Sequence, residues 1–259
     1  MDLPEVDRWF WRKNVAIAKE IGRAIQQHVM AYTPTTRALE PLQKRMSGTL
    51  DTLTALHRFA KNDWCADGRT LLRTMYDAHL QALYILHDAA RADERAQLFL
   101  DFRRIEQRAM QKIIERNPTR LAKKLMQSPK RLEGEAEREA NYRKLRPKFL
   151  TKDGKKERGD WYPGTLRDLA RQVVLESEYE ILQKDLSASV HSTPSALLAG
   201  STISEPEHLL LLGWKLMFRV LGRIAAHHGV SLATEHEELV RDAMSNIYDF
   251  PADEGSGTE

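Results

Sequence analysis

The chain has 259 residues, 42% hydrophobic and 30% charged, with a formal net charge of +3; this balance fits charged helices around an apolar core and excludes a wholly disordered chain. Its single cysteine, Cys65, excludes an internal disulfide and a cysteine-rich zinc site, and it fits a reducing cytoplasm. The acidic N-terminus is unlike a signal peptide and no apolar run approaches the roughly 18 residues of a membrane span, so we predict a cytoplasmic protein without membrane contact.

Three helices are predicted in the N-terminal third. Apolar residues such as Ile17 and Ile21 recur at helical spacing and predict a first helix at about 3–32. A second helix is predicted at about 34–62. The third, at about 67–87, is apolar around most of its circumference, so we expect it to lie at the centre of the fold.

A long helix in which apolar and charged residues alternate is predicted at about 91–126, and we expect it to be half exposed. The next segment, about 128–162, is mostly charged and is interrupted by Pro129, Gly134, Pro147, Gly154 and Gly159. We consider this segment too polar to bury a core. It is therefore predicted to be a basic insertion that is mobile in part.

Four further helices are predicted from apolar periodicity and from end signals. Two of them lie at about 165–174 and 178–191. The other two begin with capping-box patterns, Ser204 with Glu207 and Thr234 with Glu237.

No internal repeat and no alternating strand pattern occurs in the sequence. The sequence therefore predicts an all-α protein, a single helical bundle of about eight helices over 1–250, with the charged insertion at about 128–162. Residues 251–259 are predicted to be a disordered tail. Because the terminal helices are amphipathic, a homodimer is also predicted.

Two predicted helices carry columns of polar side chains spaced by four residues, Arg69, Arg73, Asp77 and Gln81 on the third helix and Tyr179, Gln183, Ser187 and His191 on the helix at about 178–191. This spacing places each column on one face of its helix. If the two faces meet, Arg73 and Asp77 come close to Ser187 and His191.

The columns have three interpretations. In a functional site, His191 is the acid or base, Arg73 binds an anion, and Asp77 orients one of them. In a structural network, the same groups satisfy one another's hydrogen bonds and fix the register of the helices. In the third interpretation the columns never meet. The sequence alone leaves these alternatives open, and with them the question of whether the protein is an enzyme.

Three segments are recognisable as a pattern: LRTMYDA at 72–78, YIL at 84–86 and DLSASVH at 185–191, accompanied by Trp161 and Tyr179. Over about 50–200 the chain resembles a bacterial all-helical family of unknown function. In that family the first motif usually has Glu where this chain has the shorter Asp77. The resemblance implies functional roles for Arg73, Asp77, Tyr179, Ser187 and His191, but it implies no reaction.

The chain is also broadly similar to helical proteins found near antiviral defence genes, which include the HEPN ribonucleases. These toxins pair an Arg with a His four to six residues later and cut RNA without metal. Such pairs include Arg23 with His28, Arg73 with His79 and Arg223 with His228. Chance alone predicts about as many in a chain of this composition, so the spacing carries no information.

Metal and cofactor sites are not predicted. Only Glu205 and His208 have the Glu-x-x-His spacing of a di-iron bundle, which needs two such pairs. Neither a phosphate loop nor a dinucleotide glycine motif occurs.

The middle third is cationic, with 19 Lys and Arg against 10 Asp and Glu between residues 101 and 160. A stripe at helical spacing contains Arg104, Arg108, Lys112, Arg116, Arg120 and Lys124. This stripe suits contact with RNA or DNA phosphates. Interspersed glutamates are equally typical of a solvated face or a surface for a protein partner.

Overall fold

A computed structural model describes residues 3–29, 32–59, 65–117, 119, 134–190 and 206–244. Across these ranges the protein is all-α, as predicted. Its helices are α1 (Leu3–His28), α2 (Pro34–Phe59), α3 (Cys65–Leu86), α4 (Ala92–Arg116), α5 (Glu135–Leu145), α6 (Leu166–Gln172), α7 (Glu176–Val190), α8 (Pro206–His227) and α9 (Thr234–Met244). The tail predicted at 251–259 lies outside the described residues.

Helix α3 is the centre of the bundle, which its nearly continuous apolar surface predicts. Helices α2, α4, α6, α7 and α8 all pack against it. Its fully buried side chains include Leu72, Met75, Tyr76, Leu80 and Ile85. Any polar side chain on α3 must therefore be satisfied by a neighbouring helix or reach solvent between two of them.

The charged segment contributes to the core in its described part, 134–162, so the expectation that it buries none is wrong. Four of its aromatic side chains are buried, Tyr142, Phe149, Trp161 and Tyr162. The Phe149 ring lies 5.3 Å from that of Phe102 on α4, centroid to centroid. A few aromatic residues supply enough apolar area to anchor an otherwise charged segment.

Helix α9 lies so close to α8 that a glycine is required between them. A Cβ atom built on Gly222 of α8 would overlap the side chain of Val240 on α9. On helix propensity alone, replacement of an interior glycine by alanine stabilises a helix by about 1 kcal/mol. At Gly222 the overlap opposes this gain, because the packed helices must separate to admit the methyl group.

We expect Gly222→Ala to lower the free energy of unfolding by about 1–3 kcal/mol. Gly48→Ala is the matched control, because Gly48 lies within α2 and nothing lies within 4 Å of its added Cβ; this change should be neutral or stabilising. Urea unfolding of the two variants measures the difference. Stabilisation by Gly222→Ala would show that α8 and α9 are not packed this closely.

Candidate functional site

The polar column of α3 lies beside α7 and the loop that leads into α6. Arg73 and Asp77, one turn apart, form an ion pair, and their side chains are 16% and 32% exposed. One turn further, Gln81 accepts a hydrogen bond of 2.9 Å from the indole N–H of Trp161. Trp161 thus covers the C-terminal end of the column at Gln81, whereas the side chains of Arg73 and Asp77 reach solvent.

Three tyrosines, Tyr76, Tyr162 and Tyr179, lie near enough to Arg73 to act on its charge. Burial lowers the pKa of Arg73 from its ordinary value, and the three phenols oppose that shift. The guanidinium nevertheless stays charged, because arginine is not deprotonated in proteins. Tyr76 is fully buried, and its ring centroid lies 6.5 Å from that of Tyr179 on α7.

Tyr162 adds a protonated phenol to this cluster. Burial, followed by the negative charge of Asp160, raises its pKa above the ordinary value for tyrosine. The phenol is therefore a hydrogen-bond donor throughout the physiological pH range. The guanidinium of Arg73 can bind an anion through charge-assisted hydrogen bonds, whereas the phenol of Tyr162 already donates to the carboxylate of Asp160.

Helix α7, which carries the second column, packs against α3, and Tyr179 lies against Tyr76. Ser187 lies on α7 two turns after Tyr179, about 12 Å further along the helix axis. Its side chain lies outside the described residues, as does His191. An approach of Ser187 and His191 to Arg73 and Asp77 therefore stays a prediction.

A second polar cluster lies deeper in the core. Arg219 of α8 donates from Nη1 to both carboxylate oxygens of Glu178 at 2.9 and 3.1 Å, and from Nε to the carbonyl of Ala243 at 2.9 Å. Only 3% of the Arg219 side chain and 5% of that of Glu178 are exposed. This cluster joins α7, α8 and α9, and its burial indicates a structural role.

His79 lies fully buried near this cluster. Burial lowers its pKa well below the ordinary value, and the charge of Arg219 lowers it further. The imidazole is therefore neutral at physiological pH. The Arg73–His79 spacing noted in the sequence thus joins a solvent-facing arginine to a histidine inside the core, and it does not form a catalytic pair on the surface.

The basic stripe on α4 is partly occupied by contacts within the protein. Arg108 forms ion pairs with Glu115 at 3.4 Å and with Glu139 of α5 at 3.2 Å. The ammonium of Lys112 lies 5.2 Å from the ring centroid of Tyr142. Of the other members, Arg104 is half-buried and Arg116 is exposed, while Arg120 and Lys124 lie outside the described residues. Phosphate contact through this stripe stays a prediction.

Two structural observations concern metals and membranes. Over the described ranges, no group of three or more His, Cys, Asp and Glu side chains is arranged to hold a metal ion. Within the same part of the chain, every helix is too short or too polar to cross a membrane.

Sequence reasoning missed Tyr162 as a residue near Arg73. The only signal was an aromatic residue directly after Trp161, in the segment that carries the family resemblance. The contribution of Tyr162 depends on the path of the loop at 158–165, which brings a residue 89 positions after Arg73 close enough to act on its charge. Helical spacing does not predict such a path.

Residues 46–207, more than half of the chain, match the Family of unknown function (DUF5677). The matched region contains both polar columns and the loop with Trp161 and Tyr162. No curated protein and no solved structure matches the chain significantly. On the extent of this match, the chain belongs to the family of unknown function DUF5677.

Proposed function

We propose that this chain is a bacterial effector of the defence or stress type that contacts nucleic acid through a site centred on Arg73. The observation that supports the proposal is the partly exposed guanidinium of Arg73, paired with Asp77 and near three phenols. A phosphate oxygen at this position would receive charge-assisted hydrogen bonds, which are stronger than those between neutral groups.

The reaction that fits this site is metal-independent cleavage of RNA. The 2′-hydroxyl oxygen attacks the adjacent phosphorus, the bond to the 5′-oxygen breaks, and a cyclic phosphate remains. We assign His191 to the proton transfer from the 2′-hydroxyl or to the leaving oxygen. Arg73 stabilises the negative charge that develops on the phosphoryl oxygens, and Asp77 orients Arg73. Tyr179 and Ser187 complete the proposed site as hydrogen-bonding groups.

The test is incubation of the purified protein with RNA in the presence of EDTA. We expect cleavage by the wild-type protein, and a loss of about 10²–10⁴-fold in rate for His191→Ala, because one proton transfer loses its catalyst. His87→Ala is the matched control, since His87 is exposed at the end of α3. Circular dichroism establishes that each variant is folded. RNA that stays intact with the wild-type protein contradicts the ribonuclease proposal.

A second candidate function is a non-catalytic helical module that binds a protein partner or a second copy of the chain. The observation that favours it is that Arg73, Asp77 and Gln81 all have partners within the protein. In this alternative the columns are structural. Arg73→Ala would then lower the free energy of unfolding by about 1–3 kcal/mol and would alter no activity toward RNA.

A further inference from the structure

The chain between α5 and α6 forms a short hairpin with a cationic tip. Leu150 and Glu157 pair as an antiparallel bridge at its base. The backbone N–H of Thr151 donates to the carbonyl of Lys156 at 2.7 Å, and that of Lys155 donates to the carboxylate of Asp153 at 3.1 Å. The conformation of the turn is therefore stabilised by backbone hydrogen bonds and by the side chains of Thr151 and Asp153.

The base of the hairpin is fixed to the core. Phe149, which precedes the bridge, is fully buried against Phe102 of α4. Arg158, which follows the bridge, lies with its guanidinium carbon 5.6 Å from the centroid of the Phe149 ring and donates to the carbonyl of Lys148 at 2.8 Å. The tip at 151–156 thus projects from an anchored base.

Three lysines of the tip, Lys152, Lys155 and Lys156, are exposed. None of them forms an ion pair with a carboxylate among the described residues. The one acidic residue of the tip, Asp153, has its carboxylate engaged by the backbone of Lys155 and the hydroxyl of Thr151. The tip therefore presents three solvated ammonium groups within six residues.

Several other cations of this region form ion pairs with neighbouring acids, which leaves them less available to an external anion than the tip lysines. Arg143 pairs with Glu139, Arg146 with Glu157, and Lys148 with Asp101, at 3.0, 2.9 and 3.1 Å. On α4, Arg108 is similarly paired. The three tip lysines therefore form a compact group of exposed positive charge that attracts a polyanion.

The hairpin is also close along the chain to the site centred on Arg73. Tyr162 lies six positions after Lys156, and an extended chain of that length spans at most about 20 Å. We propose that the lysines of the hairpin tip hold the phosphate backbone of a single-stranded nucleic acid and deliver it to the Arg73 site. This inference rests on the proposed function, and it moves the main phosphate contact from the α4 stripe to the hairpin.

Binding is measured by fluorescence anisotropy with a short single-stranded RNA whose 2′-hydroxyls are methylated, so that it is not cleaved. The test variant reverses three charges, Lys152→Glu, Lys155→Glu and Lys156→Glu. The matched control reverses the exposed cations of α1 and α2 with Lys19→Glu, Arg23→Glu and Lys44→Glu, which changes the net charge by the same amount.

We expect the hairpin variant to lose about ten-fold or more in affinity and the control to lose much less. Each lost phosphate contact lowers the slope of log affinity against log salt by about 0.7 for single strands, so three contacts lower it by about 2. Equal thermal unfolding of both variants establishes that the fold is kept.

Several outcomes overturn the inference and separate it from the proposed function. If the wild-type protein binds RNA and the hairpin variant binds it equally well, the hairpin assignment fails and the proposed function stands. Equal losses in the hairpin variant and the control would show an effect of net charge alone. Polyglutamate that competes as well as RNA would assign the tip to acidic proteins. No binding by the wild-type protein contradicts the proposed function itself.

Discussion

Glu178→Gln should lower the free energy of unfolding by about 3–5 kcal/mol, the largest stability effect that we expect from a single substitution. The substitution keeps the shape of the side chain but removes the charge that compensates Arg219. Both side chains are almost completely buried, so water does not replace the lost carboxylate. An uncompensated charge in the core is then the main cost of folding the variant.

Glu180→Gln, two residues later on α7, is the matched control. Glu180 pairs with Arg167 at the surface, where the two side chains are 49% and 54% exposed. A surface ion pair of this kind contributes at most about 1 kcal/mol. Chemical unfolding of both variants compares the loss of a buried carboxylate with the loss of an exposed carboxylate on the same helix.

The double substitution Glu178→Leu with Arg219→Met separates the charge effect from packing. Because it removes both charges, we expect it to recover much of the stability that Glu178→Gln loses. A Glu178→Gln variant as stable as the Glu180→Gln variant would contradict the buried ion pair. It would indicate that solvent reaches Arg219 in the folded protein.

The second large effect that we expect is on the rate of RNA cleavage at the Arg73 site. Arg73→Gln should lower the rate of RNA cleavage by about 10²–10³-fold at saturating RNA, because it removes a fixed positive charge from the phosphoryl oxygens. Affinity for RNA should change much less, since in our proposal the hairpin lysines supply most of the backbone contact. Arg103→Gln is the control, because Arg103 is an exposed arginine of α4.

Arg73→Lys distinguishes charge from geometry at the same position. Lysine keeps the positive charge but lacks the planar fork of donors that arginine presents to two oxygens. We expect a cleavage rate between those of the wild-type protein and Arg73→Gln. All rates are compared at a temperature at which the variants are folded, since loss of the pair with Asp77 also reduces stability slightly.

The overall architecture was predictable because it depends on local periodicity. Helix α3 is apolar on nearly every side, which identified it as central without knowledge of its neighbours. The capping-box pattern of Thr234 and Glu237 predicted a helix start at this place, and α9 begins at Thr234. Columns at a spacing of four residues placed Arg73, Asp77 and Gln81 on one face, where the structure also has them.

The charged segment shows where average composition misleads. Its many lysines, arginines and glutamates predict a solvated insertion, yet Phe149 and Trp161 are buried. The mean polarity of a segment does not reveal a few well-placed aromatic anchors. Whether part of the segment is mobile stays a prediction, since residues 120–133 lie outside the described ranges.

The contacts between distant residues were not predictable from spacing. Arg219 stands between the apolar residues Phe218 and Val220 of α8, which indicates a buried charge in need of a partner. The sequence does not indicate that Glu178, 41 residues away, is that partner. Likewise, the α4 stripe shares one helical face, but spacing does not show that α5 covers Arg108 and Lys112.

The rate of RNA cleavage in EDTA by the wild-type protein, compared with that of Arg73→Gln, tests the central claim most directly. If the Arg73 site acts on RNA, the wild-type protein cleaves it, and Arg73→Gln is about 10²–10³-fold slower while it still binds RNA. Equal rates for the two proteins, or RNA that stays intact with the wild-type protein, would contradict the claim.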